Sequence, residues 1–201
     1  DLTPSPELAS CTGYLPGGIG WYRKTFTVND SKPKHYIYFE GVYNRSEVYL
    51  NGHLLGKRPN GYVSFMYDLT PYLNKGDNLL SVRVDHSRNA DSRWYTGSGI
   101  YRNVWLISSA NTHIAQWGVS YEATNVSKEK AYLKVKVEVD KGETLGKLTT
   151  KATLFDNSGK KLLSSEAPVN TQLSAFNFQL NNPKLWSIET PYLYTLHVEL
   201  L

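Results

Sequence analysis

Cysteine is almost absent from the chain, which contains only Cys11, so no disulfide can form within these 201 residues. A single cysteine is compatible with the periplasm and with the cytoplasm, and it leaves the compartment open. No apolar run approaches the ~20 residues that a membrane-spanning helix needs. Residues 1–4 lack the basic and apolar regions of a signal peptide. The sequence therefore predicts no membrane partner.

A strong charge of either sign is also missing, since the formal net charge is only +4. Lys and Arg are scattered, and no basic run resembles a nucleic-acid footprint, so no nucleic-acid partner is predicted. Hydrophobic residues make up 40% of the chain and charged residues 20%. This composition is typical of a chain that buries cores and folds, and it argues against disorder.

Helical periodicity is absent, whereas strand patterns recur along the whole chain. Residues 78–85 alternate apolar and polar side chains, as a strand with one solvated face does. Residues 132–139 alternate in the same way. Asn51-Gly52 is a strong hairpin signal, because both positions of such a turn need a positive φ. These patterns predict an all-β protein.

The distribution of basic residues predicts two domains. All seven Arg lie within residues 1–110, whereas residues 111–201 contain ten Lys and no Arg. Residues 108–111 (SSAN) form a short polar joint at this change. We therefore predict a first domain at 1–110 and a second at 111–201. The short, regularly spaced strands of the second domain favour an immunoglobulin-like sandwich, without the cysteine pair of antibody domains.

One segment is more specific than the rest, at residues 91–106 (DSRWYTGSGIYRNVWL). It resembles the end of the sugar-binding domain of family 2 glycoside hydrolases, and it looks more like β-galactosidases than like β-glucuronidases or β-mannosidases. Four other segments resemble the same family in the same order: residues 13–23 (GYLPGGIGWYR), 48–53 (VYLNGH), 67–73 (YDLTPYL) and 182–194 (NPKLWSIETPYLY).

The resemblance implies a jelly-roll, galactose-binding-like sandwich at 1–110 and an immunoglobulin-like β-sandwich at 111–201. In the family, both catalytic Glu lie on a (β/α)₈ barrel that follows these domains, and the acid/base follows an Asn. No Asn-Glu dipeptide occurs in this sequence, and a barrel needs roughly 250 residues. We therefore assign no catalytic residue and expect this chain alone to be inactive. The implied partners are a C-terminal catalytic barrel and a β-galactoside bound by the full-length enzyme, and a homo-oligomer is compatible with the family.

The loop 85–99 is the predicted substrate-binding segment. In the family, an acidic or amide residue at this point hydrogen-bonds the sugar hydroxyls. Asp91 is the nearest match and Asn89 is the second candidate. A carboxylate that accepts from two hydroxyls suits this role, because charge-assisted hydrogen bonds are the stronger ones. The alternative is that Asp91 only begins a turn ahead of Arg93.

The neighbouring residues also have two interpretations each. Arg93 and Arg102 either contact the sugar or form ion pairs, with Glu40 or Asp85 as partners. Trp94 either stacks on an apolar sugar face, as aromatic residues do in ligand sites, or packs at the domain junction.

Gly97 and Gly99 are expected to permit a positive φ or a close approach of the backbone. The five His show no spacing typical of a zinc site. Asp85, Asp91 and Asn89 offer oxygen atoms to a hard cation, but nothing else supports a cation site, so no cofactor is predicted.

Three functions remain in competition. The first is the non-catalytic N-terminal portion of a retaining exo-β-glycosidase that hydrolyses terminal β-D-galactosides. The second is a free-standing carbohydrate-binding module, which requires measurable affinity for galactosides in the isolated chain. The third is a structural or adhesive two-domain β-protein, which would be favoured if Asp91 were buried and ion-paired.

Overall fold

A computed structural model of the chain describes residues 17–87, 96–142 and 146–201. The described residues form strands, loops and one short 3-10 helix at Thr70–Tyr72, which confirms the predicted all-β fold class. None of their helices is long and apolar enough to cross a membrane. The chain divides into two compact units, Asp1–Ala110 and Asn111–Leu201.

The first unit is an open jelly-roll sandwich of antiparallel strands. One sheet has the order β1-β7-β4-β5, the second has the order β6-β2-β9, and β3 pairs with β8. The strands are β1 (Ile19–Phe26), β2 (Lys34–Phe39), β3 (Val42–Tyr43), β4 (Ser46–Leu50), β5 (His53–Arg58), β6 (Phe65–Asp68), β7 (Asn78–Asp85), β8 (Gly99–Ile100) and β9 (Val104–Ser109).

The core of this unit lies between its two larger sheets. Leu80, Val82 and Val84 are buried on β7, while Ser81 and Arg83 between them are half-buried, as the alternation of residues 78–85 predicts. Phe39 and Phe65 from the opposite sheet stack in the same core with ring centroids 5.0 Å apart. Strand β7 leaves this core and ends at Asp85, where the loop 85–99 begins.

The Asn51-Gly52 turn forms as the sequence predicts. Asn51 has φ 50° and Gly52 has φ 87°, and the turn joins β4 to β5. The Asn51 side chain also donates to the carbonyl of Tyr72 at 2.8 Å and accepts from the amide of Leu79 at 2.9 Å. This hairpin is therefore fixed by its own backbone and by two distant segments.

The second unit is an immunoglobulin-like sandwich with two antiparallel three-stranded sheets among its described residues. Their orders are β10-β11-β14 and β13-β12-β15. Val135, Val137 and Val139 are buried on β11, between exposed polar neighbours, which confirms the predicted alternation. The strands are β10 (His113–Thr124), β11 (Lys130–Asp140), β12 (Thr149–Phe155), β13 (Lys161–Pro168), β14 (Leu173–Asn181) and β15 (Thr195–Leu200).

Candidate functional site

The predicted substrate-binding residues Asn89, Asp91, Arg93 and Trp94 lie outside the described residues. The structure describes the two segments that flank them, residues 85–87 at the end of β7 and residues 96–99 at the start of β8. The structure therefore shows how the two ends of the loop 85–99 are held in place.

Asp85 anchors the first end of the loop through a charged network. Its Oδ1 accepts from Arg45 Nη2 at 3.3 Å, and its Oδ2 accepts from Arg83 Nη2 at 3.1 Å. The hydroxyl of Ser87 donates to Oδ1 at 2.6 Å, and the Ser87 amide donates to it at 3.1 Å. The Ser87 hydrogen bonds, together with the two guanidinium groups, hold the pKa of the Asp85 carboxyl well below its usual range. Asp85 is thus an ionised structural anchor at neutral pH.

His86 joins the two ends of the loop. The residue is only 6% exposed. Its Nδ1 lies 2.6 Å from the Ser98 hydroxyl, and its Nε2 lies 3.3 Å from the Thr96 hydroxyl. The ring of Tyr43 packs edge-on against the imidazole with 4.9 Å between centroids. Because one side chain contacts two residues across the loop, His86 links its two ends.

Gly99 closes the second end against strand β1. Its φ is +98°, a conformation that L residues rarely adopt, and a side chain there would clash with the hydroxyl group of Tyr22. Both expected reasons for a glycine are thereby confirmed at position 99. At Gly97 the same expectation is wrong within the described structure, since no positive φ occurs and no described atom lies within 4 Å of an added Cβ.

An open depression of about 520 Å³ lies on the same unit. Tyr43 contacts His86 on one side and Tyr62 on the other, with 5.3 Å between the tyrosine ring centroids. The depression is lined by aromatic, charged and hydroxyl side chains, namely Tyr38, Glu40, Tyr62, Ser64, Tyr101 and Arg102.

The electrostatics of this depression centre on Glu40. Its Oε1 accepts from the indole Nε1 of Trp105 at 2.8 Å. That hydrogen bond is the main reason why the pKa of Glu40 is lowered, with a smaller electrostatic contribution from Arg102. Arg102 therefore lies near Glu40, one of its two proposed partners. The other, Asp85, is paired with Arg45 and Arg83 instead.

A cation site is not formed by the residues that the structure describes. They contain no group of three or more His, Cys, Asp or Glu side chains that could hold a metal ion. Asp85, which offered a carboxylate for such a site, faces two guanidinium groups, and these would repel a bound cation.

The contacts of His86 with Ser98 and Thr96, which we call the His86 clamp, have no local signal in the sequence. Ser98 lies 12 residues after His86, and Thr96 lies 10 residues after it. Neither spacing belongs to a helix, a hairpin turn or a known motif. Only the pairing of β3 with β8 and of β7 with its neighbours brings these three side chains together.

Comparisons with known proteins cover both units. Residues 10–110 match the family model of the glycosyl hydrolases family 2 sugar binding domain, and residues 112–201 match the model named glycosyl hydrolases family 2. The chain is 45% identical to the β-galactosidase BoGH2A of Bacteroides ovatus, over 92% of this chain and 23% of that protein. It is 37% identical to a putative β-glucuronidase of Formosa agariphila, over 94% of this chain and 18% of that one.

Solved structures agree with the sequence comparisons. A crystal structure of a β-glycosidase from Bacteroides vulgatus matches with a TM-score of 0.87 and 43% identity, covering 96% of this chain and 25% of that one. The chain belongs to glycosyl hydrolases family 2. It spans about a quarter of the length of BoGH2A and of the B. vulgatus enzyme.

Proposed function

We propose that this chain is the non-catalytic N-terminal portion of a longer retaining exo-β-glycosidase that removes terminal β-D-galactosides. The observation that carries the proposal is the order of the two matched domains, a sugar binding domain followed by the second domain of family 2, over almost the whole chain. BoGH2A and the B. vulgatus enzyme are about four times as long, which leaves room for a catalytic barrel of roughly 250 residues.

In this proposal the loop 85–99 is one wall of the sugar pocket. Asp91, with Asn89 beside it, accepts hydrogen bonds from hydroxyl groups of the terminal sugar. Arg93 and Trp94 complete the wall by a hydrogen bond and by stacking. The support is the resemblance of residues 91–106 to the family, together with the anchoring of both loop ends by Asp85 and His86. Holding both ends of a loop lowers the conformational entropy that is lost when the loop is ordered on binding.

Galactose is the proposed sugar because, of the relatives named above, the β-galactosidase is more similar than the putative β-glucuronidase, with 45% against 37% identity. The second relative supports β-glucuronides as the competing substrate class. The full-length protein should hydrolyse an aryl β-galactoside with a kcat/KM at least tenfold above that for the aryl β-glucuronide. The reverse preference would replace galactoside with glucuronide and leave the family assignment intact.

Asp91→Ala in the full-length protein tests the wall directly. Two charge-assisted hydrogen bonds are each worth about 1.5–3 kcal/mol, so we expect kcat/KM to fall at least about 10²-fold. The matched control is Asp77→Ala, which removes an exposed carboxylate from the first unit and should leave kcat/KM unchanged. Equal kcat/KM values for the two variants would show that Asp91 does not bind the sugar.

A further inference from the structure

The chain contains two Asn-Gly pairs, Asn51-Gly52 and Asn60-Gly61, and both lie in the first unit. In such a pair the backbone nitrogen of the glycine can approach the side-chain Cγ of the asparagine closely, because glycine has no side chain to hinder it. Attack of that nitrogen on Cγ is the first step of asparagine deamidation. The surroundings of the two side chains decide which asparagine reacts.

The side chain of Asn51 is bound at both its nitrogen and its oxygen. Its Nδ2 donates to the carbonyl of Tyr72 at 2.8 Å and to Oδ1 of Asn78 at 2.9 Å. Its Oδ1 accepts from the amide of Leu79 at 2.9 Å. Loss of Nδ2 as ammonia would take this donor away from the Tyr72 carbonyl and from Asn78, which is fully buried, and such a loss is unfavourable. The fold therefore protects Asn51.

The side chain of Asn60 is exposed and is bound only through its oxygen. Its Oδ1 accepts from the amide of Tyr62 at 2.8 Å and from the amide of Val63 at 3.3 Å. These two donors would stabilise the negative charge that Oδ1 gains when Cγ is attacked. Neither Asn60 Nδ2 nor the backbone nitrogen of Gly61 donates a hydrogen bond to any residue that the structure describes. Among those residues, nothing holds back the leaving group or the nucleophile.

We propose that Asn60 is a site of spontaneous deamidation in the folded protein. The Gly61 nitrogen gives up its proton and bonds to Asn60 Cγ, and the bond from Cγ to Nδ2 breaks as ammonia leaves with that proton. The product is a succinimide ring that joins residues 60 and 61. Water then adds to one of the two ring carbonyl groups, and the ring opens to aspartate or to isoaspartate at position 60. This modification is independent of the proposed function.

The backbone of Gly61 is packed against the first unit on two sides. It lies directly against the ring of Tyr43, because a Cβ added at Gly61 would clash with that ring. The Gly61 carbonyl accepts from the hydroxyl of Tyr101 at 2.7 Å. Tyr43 is only 7% exposed and packs on the imidazole of His86. A displacement of Gly61 is therefore transmitted through Tyr43 to the His86 clamp.

The residue before Asn60 is tied to the other anchor of the loop 85–99. The carbonyl of Pro59 accepts from the amide of Arg45 at 3.3 Å, and the guanidinium of Arg45 pairs with Asp85. Isoaspartate at position 60 adds one methylene group to the main chain between Pro59 and Gly61, whereas aspartate adds none. Isoaspartate therefore loosens the contacts on both sides, and aspartate leaves them in place.

Incubation of the 201-residue chain at neutral pH, followed by peptide mass spectrometry, tests the site with Asn51 as the internal control. In the folded chain Asn60 should deamidate at least about tenfold faster than Asn51, because Asn51 must first lose its hydrogen bonds. In urea, where neither side chain is held, the two rates should converge. Equal rates in the folded chain, or a rate at Asn60 that falls more than about tenfold on folding, would overturn the proposal.

The effect on the loop anchors is measured by hydrogen exchange of the Asp85 and His86 amides, which donate to the carbonyls of Asn44 and Gly18. In the fraction with isoaspartate at position 60, both amides should exchange at least about tenfold faster than in the fresh protein. Unchanged exchange in that fraction would refute the transmission from Gly61 to the loop.

Two variants are the matched controls for this measurement. Asn60→Ser keeps a side-chain oxygen that can accept from the same two backbone amides, but it has no amide group to lose. Asn60→Asp carries the charge of the product without the added methylene group. Incubated Asn60→Ser and fresh Asn60→Asp should both retain the exchange rates of the fresh parent protein. Faster exchange in incubated Asn60→Ser would show that the loosening arises from a residue other than Asn60.

Discussion

At the scale of single residues, the loop 85–99 depends on a glycine whose role is steric. Gly99→Ala should lower the free energy of unfolding of the first unit by about 1–3 kcal/mol, because alanine at φ +98° is strained and its Cβ clashes with the hydroxyl of Tyr22. Urea unfolding followed by tryptophan fluorescence measures this loss. Gly97→Ala is the matched control two residues away, where no positive φ and no described contact occurs, and it should be neutral or slightly stabilising.

The double variant Gly99→Ala with Tyr22→Phe separates the two causes. Removal of the Tyr22 hydroxyl relieves the clash but leaves the backbone strain, so part of the lost stability should return. Full recovery would mean that the positive φ contributes nothing, and no recovery would mean that Tyr22 does not approach Gly99.

Asp85 gives the loop anchor a predictable pH dependence. Asp85→Asn removes the charge that Arg45 and Arg83 share, and it should lower the stability of the first unit by about 2 kcal/mol at pH 7. The pKa of Asp85 is depressed on folding, so its contribution is complete above the unfolded pKa of about 4 and is lost as the pH falls further. The difference between the two proteins should therefore shrink at pH 3.

Asp77→Asn is the control for this measurement, because Asp77 is exposed and has no ion pair among the described residues. It should alter stability by no more than a few tenths of a kcal/mol at either pH. A stability difference for Asp85→Asn that persists unchanged at pH 3 would contradict the assignment of Asp85 as an ionised anchor.

At the scale of elements, His86 at the first end of the loop contacts Ser98 and Thr96 at the second end. His86→Ala leaves the Ser98 and Thr96 hydroxyls without this partner and opens a gap beside Tyr43. We expect a loss of about 2–4 kcal/mol in the first unit and, in the full-length protein, a raised KM for galactosides, because the loop is less well ordered before binding.

Ser98→Ala removes only one of these contacts and should show a smaller change of the same sign in both measurements. If His86→Ala lowers stability but leaves KM unchanged, the clamp supports the sandwich alone and does not position the loop.

The strands and turns were largely predictable from the sequence, but the contacts between distant strands were not. The alternation in residues 78–85 and 132–139 and the Asn51-Gly52 turn each depend on neighbours in the chain, and all three predictions are confirmed. The pairing of Asp85 with Arg45, 40 residues away, depends on which strands lie side by side. Local patterns do not contain that information, so the sequence alone indicates Arg93 or Arg102 as partners of Asp85. The roles of Asn89, Asp91, Arg93 and Trp94 stay predictions, because these residues lie outside the described structure.

At the scale of the whole molecule, the two units have separate cores and no catalytic carboxylate is assigned in either. Phe39, Phe65 and their neighbours form one core, and Val135, Val137 and Phe176 belong to the other. The sugar binding domain of the family comes first in this chain. About three quarters of the length of BoGH2A and of the B. vulgatus enzyme has no counterpart in these 201 residues. We therefore propose that the loop 85–99 is one wall of a sugar pocket whose remaining walls belong to a longer enzyme.

Calorimetric titration of the 201-residue chain with galactose and lactose, up to several hundred millimolar, tests this claim most directly. We predict no saturable heat, because one wall alone cannot surround the sugar and exclude water from its hydroxyl groups. Saturable binding that is lost on Asp91→Ala would contradict the claim and would show that the chain is a complete carbohydrate-binding module in its own right.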